Sequence, residues 1–510
     1  MRADAPGPLT HARASSAERL ALLLFALLLL AGIGWGLHPQ SSWDVDNTAP
    51  GSVLKALAQK FGPRWSSSYG PIPYFTMAAP MVPLLVVFKL THELGAPSGS
   101  YPWGFAHPEF SVNALTLAAR AMTALAALLI AWMAMREARL RGSPRAWVAA
   151  LLLAGSATFT YYARTSNVDM HYLFWAWAAF HLAEHGRRLR TLAFAGVCAA
   201  FAVCTKEQAA PFALVATLVA MKRAPGLSPR AGWRAALLPP LAAAAAYAAA
   251  WRLPAGLPGW REHLRFVFED ARYERTFAAT ASGFAQLAAR ALEQLPLAVG
   301  WALVMAVVFA LARRVSWRGL EARAIACALY VLVFLAPIGY VYPRFLLPLL
   351  LLAVPLGVRV FAILCAGNGP VSIAAFALIA LVGGPALTFT QAQDSRLAAE
   401  RWLAPRLAAG ATVELAGNPH FQARVPLARV AVLTPDSLAA APRAPRADLV
   451  LLSSVDEAYF ERDPAVAAAY LAPLRDPARW TAHVFEPPFT ARYSRGLPVS
   501  PRVTAYERRR

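Results

Sequence analysis

Long apolar windows recur along the first 390 residues of the chain, separated by short polar stretches. A window of about 17–25 mostly apolar residues is long enough to cross a hydrocarbon core of roughly 30 Å as an α-helix. Because 58% of the residues are hydrophobic and only 15% are charged, the chain is far more apolar than an ordinary soluble domain. The pattern therefore predicts an integral membrane protein.

The apolar windows predict an α-helical polytopic membrane protein with about eleven transmembrane helices. The first window, LALLLFALLLLAGIGWGLHP, resembles a signal peptide. Because no A-x-A-like cleavage site follows it and many spans come after it, we interpret it as an uncleaved first helix. The predicted spans are 19–37, 114–134, 146–163, 168–185, 190–205, 208–221, 234–252, 292–312, 323–341, 345–364 and 371–390.

The arginine-rich segments predict the orientation of these spans. Short clusters such as MREARLRGSPR (135–145) and ARRVSWRGLEAR (312–323) alternate with spans and should be cytoplasmic, together with the N-terminus. The short turns ARTSNVD, TKEQ and YVYPR are basic only at single positions, which places them on the opposite side, together with the long loops 38–113 and 253–291 and the C-terminal tail. This distribution also accounts for the formal charge of +21, so no nucleic-acid partner is expected.

Residues 71–91, PIPYFTMAAPMVPLLVVFKLT, are apolar enough to span the membrane. Counting them as a crossing would turn four arginine-rich loops outward. Four prolines also interrupt the segment, and proline removes a backbone donor from a helix. The sequence therefore predicts broken helices lying at the membrane interface.

The composition changes after residue 390. The β-like runs ATVELAG, RVAVLTP, ADLVLLSS and TAHVFEPP surround a helical pattern in AVAAAYLAPL, which predicts a small α/β domain. We divide the chain into a transmembrane domain, 1–394, with its large external loop 38–113, and an external α/β domain, 395–510. Asp456 and Glu457 follow an apolar run, where open α/β sheets often bind ligands, but a solvated loop is the preferred interpretation.

Charged residues gather at the span ends that are predicted to face outward. Asp44 and Asp46 follow the first span directly, where charged groups are costly unless they are solvated, paired or used. Acids and cations around one pocket would suit group transfer from a phosphate-linked donor, because cations hold the phosphate and a carboxylate accepts a proton. The other polar groups predicted at this face are Tyr161, Arg164, Asn167, Asp169, Lys206, Glu207, Tyr342 and Arg344.

The predicted cations could also have structural roles instead of binding a phosphate. A lone Arg164 or Arg344 at a span end is commonly an interfacial anchor whose stem lies along apolar surface. Lys206 and Glu207 are neighbours and could form a local ion pair. The sequence alone leaves these alternatives open.

The acids have alternatives as well. Asp46 could cap the helix-like segment 49–60, and Asp169 could cap the helix of the fourth span and interact with its dipole. The Asp-x-Asp triplet of Asp44 and Asp46 would also suit a divalent metal, so a metal is possible but undetermined, and no other cofactor is expected. His181 and His185, four residues apart near the cytoplasmic end of the fourth span, do not form a convincing ligand set with the other histidines.

Several short motifs follow one another in a characteristic order over residues 19–390. They are Asp44 and Asp46 after the first span, the stretch Tyr69-Gly70-Pro71-Ile72-Pro73-Tyr74, Arg120 opening the second span, Tyr162-Ala163-Arg164 with Asp169, Thr205-Lys206, and Tyr342-Pro343-Arg344-Phe345-Leu346-Leu347-Pro348. In this order the chain resembles the GT-C superfamily of polyprenyl-phosphate-dependent glycosyltransferases. It is most similar to family 39-like proteins, which include protein O-mannosyltransferases and the lipid A aminoarabinose transferase.

The resemblance implies an inverting glycosyltransferase that uses a lipid-phosphate sugar, hexose or pentose, on the periplasmic face of a bacterial inner membrane. Asp44 or Asp46 matches the catalytic acid of the first external loop, with Asp44 favoured slightly, and Asp169 matches a second acidic position. The residues expected to contact substrate are Tyr69, Tyr74, Arg164, Lys206, Glu207, Tyr342 and Arg344, of which Lys206 and Arg344 are the candidates for the donor phosphate.

Two positions depart from the family pattern. Many relatives carry Asp-Glu where this chain has Asp-Val-Asp, and the aminoarabinose-transferase branch has a lysine where Gly70 stands. The expected partners are therefore stated broadly as a polyprenyl-phosphate sugar donor, a lipid, glycan or protein acceptor, and the lipid bilayer. The alternatives are a polytopic transporter or lipid flippase without transferase activity, or an inactive scaffold whose tail binds a partner.

Overall fold

The computed structural model describes residues 14–40, 42–228, 232–270, 275–426 and 430–509. Residues 1–13, the N-terminal segment predicted to be cytoplasmic, lie outside the described residues. The described chain is mostly helical, with several apolar helices and a small C-terminal sheet. This agrees with the predicted fold class.

Twenty-two α-helices follow one another along the described chain. They are α1 Ser16–Leu30, α2 Gly51–Ala58, α3 Ile72–Leu90, α4 Pro108–Leu140, α5 Val148–Ala154, α6 Ala157–Tyr162, α7 Asp169–His185, α8 Leu189–Val203, α9 Ala210–Leu227, α10 Trp233–Ala250, α11 Leu257–Arg265, α12 Ala281–Val299, α13 Trp301–Ala312, α14 Glu321–Tyr330, α15 Ala336–Ile338, α16 Leu350–Leu381, α17 Gly384–Ala392, α18 Ser395–Ala408, α19 Pro435–Ala440, α20 Ser454–Phe460, α21 Pro464–Val466 and α22 Ala472–Leu474. Short 3₁₀ segments at Glu207–Ala209 and Pro343–Leu349 lie beside the candidate site described below.

By length and composition, five helical stretches of the described residues could cross a membrane, or six if a bent pair is counted as one span. The chain is thus a multi-pass membrane protein, while the predicted count of eleven is not confirmed. Several predicted spans correspond to shorter helices, such as the 15-residue α1 and α8. The stretches that qualify are Ile72–Leu90, Pro108–Leu140, Glu321–Ile338, Pro343–Ala366 and Ile373–Ala408.

The prediction that residues 71–91 form broken helices is wrong. They form one continuous 19-residue helix, α3, which contains Pro80 and Pro83 and is long and apolar enough to cross a membrane. One face of α3, including Met77 and Met81, is buried against α2 and α4, whereas Val86 is exposed. Packing along this face stabilises the helix despite the backbone donors that the prolines remove.

The predicted span 292–312 is divided at Gly300. Helices α12 and α13 meet there at an angle of 117°. Gly300 has a φ of +92°, and a Cβ at this position would lie 2.6 Å from the carbonyl oxygen of Gly155. Only glycine allows both the positive φ and this approach to a neighbouring backbone, so the bend depends on a tertiary contact.

Helix α7 has charged clusters at both of its ends. At its C-terminal end, Arg323 lies 2.9 Å from both Glu137 and Glu184, and Arg141 lies 2.7 Å from Glu184. Arg141 also donates to the carbonyl oxygen of Gly319, which joins two of the arginine-rich segments. These segments therefore meet at one end of α7, and Asp169 stands at the other end, about 25 Å away for a helix of this length.

The C-terminal residues form a five-stranded mixed sheet. The strands are β1 Val413–Ala416, β2 Val430–Leu433, β3 Leu449–Ser453, β4 Trp480–Phe485 and β5 Val503–Arg508. Their order is β2-β1-β3-β5-β4, with β1 parallel to β2 and β3, and β5 antiparallel to β3 and β4. The four predicted runs are strands, while β5 was not predicted. The small sheet is confirmed, and the boundary at residue 395 stays a prediction.

The solvated-loop interpretation of Asp456 is wrong. Asp456 lies in the first turn of α20 and is 4% exposed. Its carboxylate accepts hydrogen bonds from the backbone of Asn418 and from the side chains of Gln422 and Ser453. Because these bonds occupy both oxygens, Asp456 connects the β1 and β3 ends of the sheet.

Candidate active site

The loop that carries Asp44 and Asp46 is fixed by backbone hydrogen bonds. Trp43 N–H donates to the Gly36 carbonyl over 3.0 Å, and Thr48 N–H donates to the Ser166 carbonyl over 2.8 Å. These two bonds anchor the backbone on either side of Asp44 and Asp46.

A second loop, between α6 and α7, interlocks with the first. Ser166 N–H donates to Asp44 Oδ2 over 3.0 Å, and Asn167 Nδ2 donates to the Asp46 carbonyl over 3.2 Å. Asn167 Oδ1 also accepts from the Asp169 N–H over 2.9 Å. One asparagine thus links the Asp46 backbone to the residue that begins α7, which brings the three predicted acids together.

Asp44 is fully buried, and its Oδ1 has no hydrogen-bond partner among the described residues. Burial raises the pKa of Asp44 from 3.8 to about 6, because water no longer solvates the charged form. Arg120 opposes this shift, whereas the like charge of Asp46 adds to it. Asp44 is therefore a carboxylate that can exchange a proton near neutral pH.

Asp46 forms an ion pair with Arg344. Its Oδ2 lies 2.6 Å from Arg344 Nη1, and its side chain is 37% exposed. The capping alternative for Asp46 is wrong, because α2 begins after Pro50 and has no side-chain cap. Asp46 is thus the more accessible of the two acids, and its partner comes from the distant 3₁₀ segment that begins at Pro343.

Asp169 forms a second ion pair, with Lys206. Lys206 Nζ lies 2.8 Å from Asp169 Oδ1, while the buried Oδ2 has no hydrogen-bond partner in the described part of the chain. Asp169 lies in the first turn of α7, where a negative charge is favourable, but it does not cap the helix through its side chain. The alternative of a local ion pair between Lys206 and Glu207 is wrong, because Lys206 pairs with Asp169 and Glu207 lies 2.7 Å from His263.

Aromatic rings join the two ion pairs. The Phe345 ring centroid lies 5.6 Å from Lys206 Nζ and 5.5 Å from Arg344 Cζ, so one ring touches both cations. Lys206 also lies 5.5 Å from the Tyr172 ring and 5.9 Å from the Tyr69 ring. Such contacts partly replace the solvation that the cations lose on burial.

Electrostatic effects connect the members of this cluster. Burial lowers the pKa of Lys206; Asp169 opposes that shift, and Arg344 adds to it. Burial has the opposite effect on Tyr69, whose pKa it raises. Arg344 lowers the pKa of Tyr69, whereas Asp169 and Asp46 raise it further. Charged members of both ion pairs therefore shift the pKa of the Tyr69 hydroxyl.

Gly70 allows Tyr69 to approach Lys206. A Cβ at position 70 would lie 2.0 Å from the Cys204 carbonyl oxygen, closer than non-bonded atoms can come. The same carbonyl accepts a hydrogen bond from Ile72 N–H. Glycine at position 70 thus has a structural reason, because this backbone packs directly against the segment before Lys206.

Of the four other residues predicted to contact substrate, Arg164, Tyr74 and Glu207 lie apart from the two pairs, whereas Tyr342 borders one of them. Arg164 is buried and donates to Gln391 and Thr388 side chains and to the Leu28 carbonyl. Tyr74 is 3% exposed and packs edge-on against Trp65. Tyr342 is 53% exposed, and its ring contacts both Arg344 and the Phe345 ring. Glu207 faces His263.

Sequence reasoning did not assign Ser166, Phe345, Tyr162 or Tyr172 to the site. Tyr162 is buried within electrostatic reach of all three acids and of Arg344. Tyr162 belongs to the motif Tyr162-Ala163-Arg164. The motif therefore indicated the right segment, but Arg164 was assigned to the site instead of Tyr162. The aromatic residues gave no separate signal in a chain so rich in apolar residues.

The described residues contain one group of three potential metal ligands within 4.8 Å of one another: Glu137, His181 and His185. It lies at the end of α7 opposite the acids, and Glu137 is already paired with Arg323. Asp44 and Asp46 gather no third ligand of this kind among the described residues.

The fold and site together define a multi-pass membrane protein with a cluster of acids and cations at one end of its helices. No protein-family model and no curated protein matches the sequence. Among solved structures, the chain is similar to ArnT from Cupriavidus metallidurans in the apo state, with 14% identity over 96% of this chain and 98% of that chain and a TM-score of 0.47. The same protein bound to undecaprenyl phosphate gives 14% identity, coverages of 97% and 98%, and a TM-score of 0.47.

At this identity and TM-score the similarity carries no argument about activity. The residues of the site support a function in their own right.

Proposed function

We propose that the protein is a membrane glycosyltransferase that moves a sugar from a polyprenyl-phosphate carrier to a lipid, glycan or protein acceptor. The observation that carries the proposal is the pair of acid–cation contacts, Asp46 with Arg344 and Asp169 with Lys206. Both cations contact the Phe345 ring, and the buried Asp44 belongs to the same loop as Asp46. Segments distant in sequence must come together to build this cluster.

Two cations around one ring suit a phosphate group. Arginine binds phosphate oxygens through a planar fork and lysine through a point charge. When the donor phosphate binds, it competes with the carboxylates for Lys206 and Arg344. Charge that develops on the departing phosphate is then neutralised by cations that are already in place.

Asp44 and Asp46 are the candidates for the general base. Asp44 has the raised pKa that suits proton transfer near pH 7 and an oxygen with no hydrogen-bond partner among the described residues. Asp46 is the more exposed and would be freed from Arg344 when a phosphate binds. Asp169 keeps Lys206 in position, since its pairing oxygen holds the ammonium at 2.8 Å.

The proposed reaction is one displacement at the anomeric carbon. The base accepts the proton of the acceptor hydroxyl, the acceptor oxygen forms a bond to the anomeric carbon, and the bond from that carbon to the phosphate oxygen breaks. Polyprenyl phosphate leaves with the electron pair of the broken bond. A single displacement of this kind inverts the configuration of the sugar.

We place the site on the non-cytoplasmic face, which in a bacterial inner membrane is the periplasm. The support is the arginine-rich segments joined at the opposite end of α7, and it does not depend on counting crossings. Reporter fusions after Arg187 and Arg396 test this placement. The first should report the cytoplasm and the second the periplasm; both on one side would contradict it.

Purified protein with radiolabelled polyprenyl-phosphate sugars and a panel of acceptors tests the function. Undecaprenyl phosphate, the lipid in one of the similar structures, should be released with wild-type protein and with Glu262→Gln, a matched loss of an exposed carboxylate paired with Arg265. Asp44→Asn and Asp46→Asn together should abolish release. Undiminished release by this double variant would refute the catalytic roles, and transport of the intact donor without release would favour a flippase.

A further inference from the structure

We infer that the C-terminal α/β unit positions the loop that carries Asp44 and Asp46, through a tryptophan held between two of its arginines. The catalytic consequence rests on the proposed function, whereas the structural part does not. The unit would then be part of the machinery that aligns the site rather than an appended module.

Trp43, which precedes Asp44, is fully buried between two cations of the C-terminal unit. The Arg396 guanidinium carbon lies 4.1 Å from its ring centroid, and that of Arg424 lies 4.6 Å from it. The indole Nε1 donates to the Gln422 carbonyl over 2.9 Å. Cation–π contacts and this hydrogen bond fix both the plane and the edge of the ring.

Arg396 is itself held rigidly. Its Nε and Nη2 donate to the two oxygens of Asp394 over 2.9 and 2.7 Å, and its guanidinium is fully buried. Asp394 Oδ2 also accepts from Trp35 Nε1 and from Ser500 N–H, both over 3.1 Å. Because its hydrogen-bond partners are fixed, the planar guanidinium of Arg396 has little freedom to move. The orientation of the face that contacts Trp43 is therefore fixed as well.

Arg424 reaches the same loop from another side. Its Nε and Nη2 each donate to a Glu400 oxygen over 2.7 Å, and its Nη1 donates to the Leu37 carbonyl over 3.1 Å. His420, slightly earlier in the chain, contacts the Ser42 carbonyl. The C-terminal unit therefore binds the loop at Leu37 and Ser42 as well as through the indole.

Both sides of the acid pair are thus held, but by different parts of the protein. The C-terminal unit holds the residues before Asp44, and the Ser166 loop holds the residues after Asp46 through Thr48. Displacements of about 1 Å at a reacting group can reduce a rate about 100-fold. Loosening one side should therefore cost turnover more than substrate affinity.

Arg424→Ala tests the inference, because Arg424 is partly exposed and its loss leaves the buried Arg396–Asp394 pair intact. Hydrogen exchange followed by mass spectrometry should show at least about fivefold faster exchange in residues 42–48 and unchanged exchange in β1 and β3. The kcat should fall about tenfold, with the KM for the donor within about twofold. Arg424→Lys, which keeps the charge over the ring, should recover part of both effects.

Arg475→Ala is the matched control, because Arg475 pairs only with Glu457 and Glu461 of the same unit among the described residues. Exchange in residues 42–48 that matches this control would overturn the positioning role. Faster exchange with an unchanged kcat would overturn its catalytic consequence. The exchange measurement needs no substrate, so it decides the structural part even if the wild-type protein proves to have no transferase activity.

Discussion

Replacing Asp44 with asparagine should stabilise the protein at neutral pH while impairing its activity. The folded state holds this carboxyl at a pKa of about 6, against 3.8 for the ordinary group. At about 1.4 kcal/mol per pH unit, keeping Asp44 ionised costs the folded state about 3 kcal/mol. No discount for solvent is needed because Asp44 is fully buried, and the attraction of Arg120 is already contained in the shift.

The sign of this effect depends on pH. Because the pKa of Asp44 is higher in the folded state, the folded protein binds more protons between pH 3.8 and 6, and its stability falls as the pH rises through that window. The asparagine of the variant would stay neutral and would keep an acceptor for Ser166 N–H. The advantage of the variant should be about 3 kcal/mol at pH 7.5 and about 1 kcal/mol at pH 4.5.

Thermal unfolding in detergent, measured for both proteins at pH 7.5 and 4.5, tests this reasoning. The variant should unfold at a higher temperature at pH 7.5, and the difference should shrink by about two thirds at pH 4.5. If Asp44 is the base, wild-type kcat/KM should also fall below pH 6. A variant that is less stable than wild type by the same amount at both pH values would refute the reasoning.

Three further substitutions separate the site from its surroundings. Lys206→Met should raise the dissociation constant for undecaprenyl phosphate at least about tenfold in equilibrium binding, because it removes a cation proposed to make a charge-assisted contact with the phosphate. Unchanged binding would exclude this role. Gly70→Ala should lower the unfolding temperature because its Cβ would overlap the Cys204 carbonyl, whereas Gly99→Ala, which meets nothing within 4 Å, should not; equal effects would contradict the close approach. Arg164→Met should reduce the free energy of unfolding by about 3 kcal/mol, because it leaves buried acceptors unpaired. The KM for the donor should not change. A raised KM with full stability would show that Arg164 contacts the substrate.

The sequence predicted the acid loop and its cations because charged residues stand out in an apolar chain. It could not separate Lys206 from Arg164, since each is a single cation at a predicted span end. The structure separates them through their partners: Lys206 meets the carboxylate of Asp169, whereas Arg164 meets backbone and neutral side chains. Which group a long side chain reaches is decided by packing between distant segments.

The same limit explains the errors in the helices. The prolines of α3 favour a break locally, but burial of Met77 and Met81 along one face compensates for the lost hydrogen bonds. Pro296 and Gly300 are local signals for a break in this window, but they do not set its 117° angle. The bend depends on the carbonyl of Gly155, a residue far away in sequence.

The ion pair of Asp46 with Arg344 has a consequence for the biogenesis of the protein. Its two members belong to the first loop and to a segment that is synthesised much later, and the arginines that hold Trp43 come later still. The loop with Asp44 and Asp46 is therefore synthesised before any of these partners exists. The loop reaches its final arrangement only when the C-terminal strands have folded, so the order of synthesis itself delays the appearance of the complete site.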